Sequence, residues 1–124
     1  MAYFPFFAEM KNRTCLIVGS GTIARSKMRI FLEFEADVTC ISPQLLQQPG
    51  VSFIQKEVQM EDLVGFDVVV AATDNHELNH RISLECQKLG IPVNVVDQKD
   101  DCTFIFPSIL HYENVVAAFS SGGR

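Results

Sequence analysis

Gly19-Ser20-Gly21-Thr22-Ile23-Ala24 lies directly after the apolar run Cys15-Leu16-Ile17-Val18 and directly before a helix-like stretch, residues 25–32. In a strand–turn–helix unit with this G-x-G-x-x-A spacing, the first glycine permits the tight turn and the second lets a pyrophosphate approach the backbone. The small third residue lets helix and strand pack closely. N–H groups left over at the helix start, and the positive end of its dipole, then face the phosphates. Gly19, Gly21, Thr22, Ile23 and Ala24 are therefore candidates for binding a dinucleotide. Two glycines can also simply close a tight loop between strand and helix.

The other candidates stand where strand-like runs end. Asp97 follows Val93-Asn94-Val95-Val96. A carboxylate there points into the crevice at the sheet edge and could accept a proton released in an oxidation, or it could cap a loop in an acid-rich turn. Thr73 and Asp74, after Ala71-Ala72, would wall the cofactor cleft, while Asn75 suits the N-cap of the following helix, with Glu77 favoured by the dipole. Ser42-Pro43 occupies the slot where dinucleotide folds commonly place a ribose-binding carboxylate; Ser42 could contact the ribose or shape the turn. With no arginine there to receive a 2′-phosphate, NAD is favoured over NADP. His76 and His80 have the spacing of a two-histidine metal site but lack an H-E-x-x-H arrangement, so no metal is expected.

Positioning these groups requires alternating strands and helices, the pattern of a mostly parallel sheet with covering helices. Residues 14–18, 37–41, 51–55, 66–72 and 92–96 read as strands; 22–34 and 75–89 read as helices, the second stopped by Gly90. Residues 61–63 suggest a helical turn. Residues 103–106 and 115–119 read as further strands with no helix between them, so the far edge departs from simple alternation. The aromatic start, Tyr3-Phe4-Pro5-Phe6-Phe7, reads as a plug for the core.

At 124 residues the chain makes one domain, and no apolar run approaches the ~20 residues that span a bilayer. Its start lacks the basic region and cleavage site of a secretion signal, which points to the cytoplasm. The four cysteines form no C-x-x-C pair and read as buried free thiols. A net charge of −5 leaves no basic face for nucleic acid. Arg25, Lys27 and Arg29 cluster after the glycine loop, where Lys27 reads as part of a solvated helix face.

Taken together, Tyr3 to Phe7, Cys15 to Ala24, Ala71-Ala72-Thr73-Asp74, Leu78-Asn79, Val93 to Asp97, Phe104-Ile105-Phe106-Pro107-Ser108 and Ser120-Ser121-Gly122-Gly123 resemble the precorrin-2 dehydrogenase family, the N-terminal module of sirohaem synthase. The resemblance implies an α/β Rossmann-type NAD-binding domain over residues 1–124, its sheet covered by helices on both faces. It implies NAD-dependent oxidation of precorrin-2 to sirohydrochlorin, with Asp97 as catalytic residue and Ser120, Ser121 and Gly122 near the tetrapyrrole. Some members also insert ferrous iron. Members continue past the Ser-Ser-Gly-Gly motif with a segment exchanged between two subunits and a helical domain. By that comparison this chain is a fragment or an unusually short member, and the full-length protein a homodimer. A non-catalytic NAD(H)-binding module is the alternative, since a fold alone does not fix function.

Overall fold

The computed structural model describes residues 2–121. Five strands, β1 (Thr14–Val18), β2 (Asp37–Ser42), β3 (Val51–Gln55), β4 (Val68–Ala71) and β5 (Val93–Val95), form one sheet in the order β3-β2-β1-β4-β5, all parallel. The chain steps outward from β1 to β3, then returns to lay β4 on the other side of β1. The reversal of direction falls between β1 and β4, where open α/β sheets bind ligands.

Helix α1 (Thr22–Glu33) and helix α2 (His76–Leu89) cover opposite faces. Alternation along β1 divides the core. Cys15 and Ile17 join Ala24, Met28 and Phe31 of α1, whereas Leu16 and Val18 join Ile82 and Cys86 of α2. Cys15 to Val18 are thus all buried, as their uninterrupted apolar sequence requires of a strand covered on both sides. A short 3-10 turn at Met60–Leu63 packs Leu63 on the α2 side.

Local chemistry sets the helix ends. Asn75 caps α2 by accepting the Leu78 N–H at 3.0 Å, and Gly90 ends it in the left-handed conformation, φ 75°. By contrast, α1 starts at Gly21 with no side-chain cap and no acid in its first turn.

Three expectations need correction. Residues 103–106 form no strand, with a bend at Thr103 and Phe104; the strand is β6 (Ser108–Tyr112), paired antiparallel with β7 (Val115–Phe119) in a separate hairpin. Side chains take the place of a ladder along the outer edge of β5. Thr103 Oγ1 accepts the Val93 N–H at 2.9 Å, Cys102 Sγ accepts the Val95 N–H at 3.1 Å, and Asn94 Nδ2 donates to the Phe104 carbonyl at 3.0 Å. The edge is thereby closed to further strand pairing.

The N-terminal aromatics do not plug the core either. Phe4, Phe6 and Phe7 are exposed, and with residues 103–105 and β7 they border an apolar cleft of about 920 Å³. Nor is Lys27 fully solvated. Its Nζ lies 4.3 Å from the centre of the Phe106 ring, a cation–π contact, and burial lowers its pKa.

Asp67 joins the start of β1 to the approach to β4, accepting the Thr14 N–H at 2.9 Å and the Thr14 hydroxyl at 3.2 Å. The Thr14 N–H, with help from that hydroxyl and the nearby Arg13, outweighs desolvation and holds the carboxyl below its ordinary range. A depressed folded pKa contributes stability that is present above the unfolded value, about 3.9, and is lost as pH falls through the folded one. The urea midpoint is expected to stay level as this group goes from neutral pH to about 5 and to drop below about 4. Asp67→Asn should flatten that drop; an unchanged acid slope in the variant would show that Asp67 has no share in it.

Candidate functional site

Strand register brings the candidate residues together. Val18 pairs with Ile41 on one side and Ala71 on the other, and Ala71 pairs with Val95, so four strands end level. Backbone bonds carry the alignment one residue further: Gly19 N–H to the Ile41 carbonyl at 3.0 Å, Ala72 N–H to Val18 at 2.8 Å, and Val96 N–H to Ala71 at 3.1 Å. Gly19 to Thr22, Ser42-Pro43, Thr73-Asp74 and Asp97 therefore gather at the carboxyl edge of the sheet, where a crevice of such folds takes its ligand.

The two glycines do different work. Gly19 has φ 121°, and a Cβ there would stand 2.4 Å from the Ala72 carbonyl oxygen and 2.8 Å from its carbon. It is the place where the β1 and β4 loops touch backbone to backbone. At Gly21 nothing lies within 4 Å of where a Cβ would be. That open space sits over the uncapped start of α1, whose first N–H groups have no intrahelical acceptor. Space and donors fit a pyrophosphate. Thr22 and Ile23 are exposed on this turn, while Ala24 is buried beneath it against the α1-side core. Its small side chain permits the close packing of helix on sheet that the third motif position demands.

Ser42 is buried and its hydroxyl is engaged. It lies 2.9 Å from the Ser20 hydroxyl and accepts the Gln44 N–H at 3.1 Å, shaping the turn before exposed Pro43 and bracing the glycine loop. Cys40 braces the same loop by donating its S–H to the Gly19 carbonyl at 3.1 Å, and burial pushes its thiol up to about 11.

Asp97 is exposed and occupies the left-handed region, φ 61°, in a turn closed by the Gln98 N–H to the Val95 carbonyl at 3.3 Å. Turns with positive φ at the third position favour glycine, with asparagine and aspartate the tolerated alternatives. Its carboxylate makes no hydrogen bond or ion pair among the described residues, and it stands exposed at the end of β5.

The sequence assigns no role to a set of polar residues that the fold joins behind the strand ends. Asn79, buried on α2, bonds to Thr73 and Gln98, and Asp101 bonds to His80 Nδ1 at 2.6 Å and to Gln98. Desolvation raises the Asp101 pKa, but the hydrogen bonds from His80 and Gln98 outweigh it and lower the net value. A polar residue on a helix face otherwise marked by Leu78, Ile82 and Cys86 was the available signal. His76 and His80 join no group of three metal-ligating side chains among the described residues.

The structure does not bring every candidate to this crevice. Ser120 follows β7 and borders the apolar cleft beside Val68 and Pro92, which lead into β4 and β5 from the opposite sheet edge. Ser121 is exposed next to it, and Gly122 lies outside the described residues.

An open glycine turn at the reversal point of a five-stranded parallel sheet, with an uncapped helix behind it, defines a dinucleotide-binding domain. The family described as "Putative NAD(P)-binding" matches residues 6–108, and the chain belongs to it. The siroheme synthases of Nitrosomonas europaea and Photorhabdus laumondii are each 41% identical to it over 131 aligned positions, covering 99% and 100% of this chain. The chain spans only 28% of the length of either relative. Among solved structures, SirC, precorrin-2 dehydrogenase, shares the fold with a TM-score of 0.76 at 23% identity, over 98% of this chain and 64% of that one. D-2-hydroxyisocaproate dehydrogenase matches more distantly, with a TM-score of 0.51 at 24% identity over 66% of this chain and 25% of that one. No helix among the described residues is long and apolar enough to cross a membrane.

Proposed function

We propose that the chain is the dehydrogenase module of a sirohaem-forming enzyme and oxidises precorrin-2 to sirohydrochlorin with NAD. The observation that supports this reading is the level ending of β1, β4 and β5, which brings the open glycine turn and Asp97 to the same edge of the sheet. When bound, NAD supplies the hydride acceptor. The chain's own residues bind and orient. N–H groups of the turn at Gly21 and Thr22 receive the pyrophosphate, Ser42 and Pro43 flank the adenosine ribose, and Thr73 and Asp74 wall the nicotinamide side. Asp97 accepts the proton that leaves the tetrapyrrole as the hydride departs, so that the substrate gives up two electrons and two protons in all.

Substrate contacts from Ser120, Ser121 and Gly122 belong to the same proposal. Because Ser120 lies away from Asp97 within one chain, these residues would serve a second subunit's crevice in a homodimer. Exposed Leu110, Tyr112, Val115 and Phe119 on the hairpin give such a dimer apolar surface to cover. Anaerobic incubation with precorrin-2 and either NAD or NADP, followed by absorbance, tests substrate and cofactor together. No product with either cofactor would overturn the proposal.

Gly21→Val fills the cradle without touching protein. Calorimetry is expected to show NAD binding lost, at least about 100-fold weaker for a blocked phosphate site, with the thermal midpoint nearly unchanged. Unaltered NAD affinity would place the cofactor elsewhere.

A further inference from the structure

A polar bridge centred on buried Asn79 joins the ends of β4 and β5. Asn79 is 1% exposed, and its carboxamide is fully engaged: Nδ2 donates to the Thr73 carbonyl at 3.0 Å and to Gln98 Oε1 at 3.4 Å, while Oδ1 accepts from the Thr73 hydroxyl. Gln98 in turn donates through Nε2 to Asp101 Oδ2 at 2.8 Å and to the His76 carbonyl at 3.3 Å. Asp101 is anchored by His80 on its other oxygen and by the Ser83 hydroxyl, which donates to its backbone carbonyl.

Burying a carboxamide is costly unless each of its positions is satisfied, and an apolar residue of similar volume would serve packing alone. A satisfied network of this kind fixes relative geometry. What it fixes here is the residue next to Asp97. Aspartate tolerates φ 61°, and the side-chain bonds of Gln98, made to α2 and to the 3-10 turn Lys99–Asp101 at once, hold the next residue of that turn in place.

We propose that Gln98 is a positioning residue: gripped by Asn79 and Asp101, it fixes the turn that aims Asp97 and, through Asn79, sets Asp97 in register with Thr73 across the crevice. The inference rests on reading Asp97 as the proton acceptor. In this role Gln98 acts through Asp97, by its bonds to Asn79, Asp101 and the His76 carbonyl.

The test is a double-mutant cycle of Gln98→Ala and Asp97→Asn, with precorrin-2 turnover measured anaerobically at saturating NAD and the NAD affinity and thermal midpoint measured alongside. Gln98→Ala alone is expected to lower kcat roughly 10- to 100-fold, the scale on which small misplacements act, with KM for NAD held within about twofold. In the Asp97→Asn background it should cost nothing further, because a missing carboxylate cannot be misplaced. Losses that multiply would overturn the positioning role while leaving Asp97 its own. Full turnover by Asp97→Asn would overturn the reading of Asp97 itself, and the positioning role with it.

Discussion

Gly19→Ala is expected to destabilise the fold by about 3 kcal/mol or more and to abolish NAD binding, although it adds a single methyl group. Two costs combine. A residue with a Cβ held at φ 121° is strained by roughly 1–3 kcal/mol, and forcing apart a well-packed contact costs a further 1–3 kcal/mol or so. The contact cannot give cheaply, because the methyl would meet the Ala72 carbonyl, a backbone atom fixed by β4, at 2.4 Å. Against a total of about 5–15 kcal/mol for an ordinary domain, such a loss is large. Urea unfolding of Gly19→Ala beside Gly21→Val is the informative comparison. The first should lose much of its stability and the second almost none, and equal midpoints would remove the distinction between the two glycines.

Asp97→Asn is expected to lower precorrin-2 turnover by about two orders of magnitude or more, the usual scale for loss of a general base, while NAD affinity stays within about twofold. The substitution isolates charge. Asparagine tolerates the left-handed backbone as readily as aspartate does, so the turn at φ 61° survives and any loss belongs to the carboxylate. Wild-type rates in this variant would rule the role out.

The glycine turn, the cap at Asn75 and the stop at Gly90 were legible in the sequence because each depends on residues within a few positions of one another. Six of the strands were legible for a related reason, as apolar runs between turn signals. The stretch from Cys102 to Ser108 was not. Its apolar residues match a strand pattern, but bonds from Thr103, Cys102 and Asn94 side chains to partners 7 to 10 residues away take over the edge of β5, and no local rule anticipates them. The partners of Lys27 and Asn79 were not legible for the same reason. They are tertiary, the Phe106 ring for one and Gln98 with Thr73 for the other. The crevice itself could be assembled from strand ends, whereas the network behind it required the fold.

Cys15 and Cys40 lie in the layer beneath α1, and Cys86 in the layer beneath α2. Burial drives their thiols up to about 12, 11 and 11, with carboxylates near Cys15 and Cys86 adding to the effect. In the native state they are therefore shielded both sterically and by the scarcity of thiolate, the reactive form. Alkylation must wait for an opening of the layer that holds each one. The protein thus contains its own pair of clocks, one on each side of the sheet, and the order in which the thiols become labelled in native buffer reports which layer breathes first.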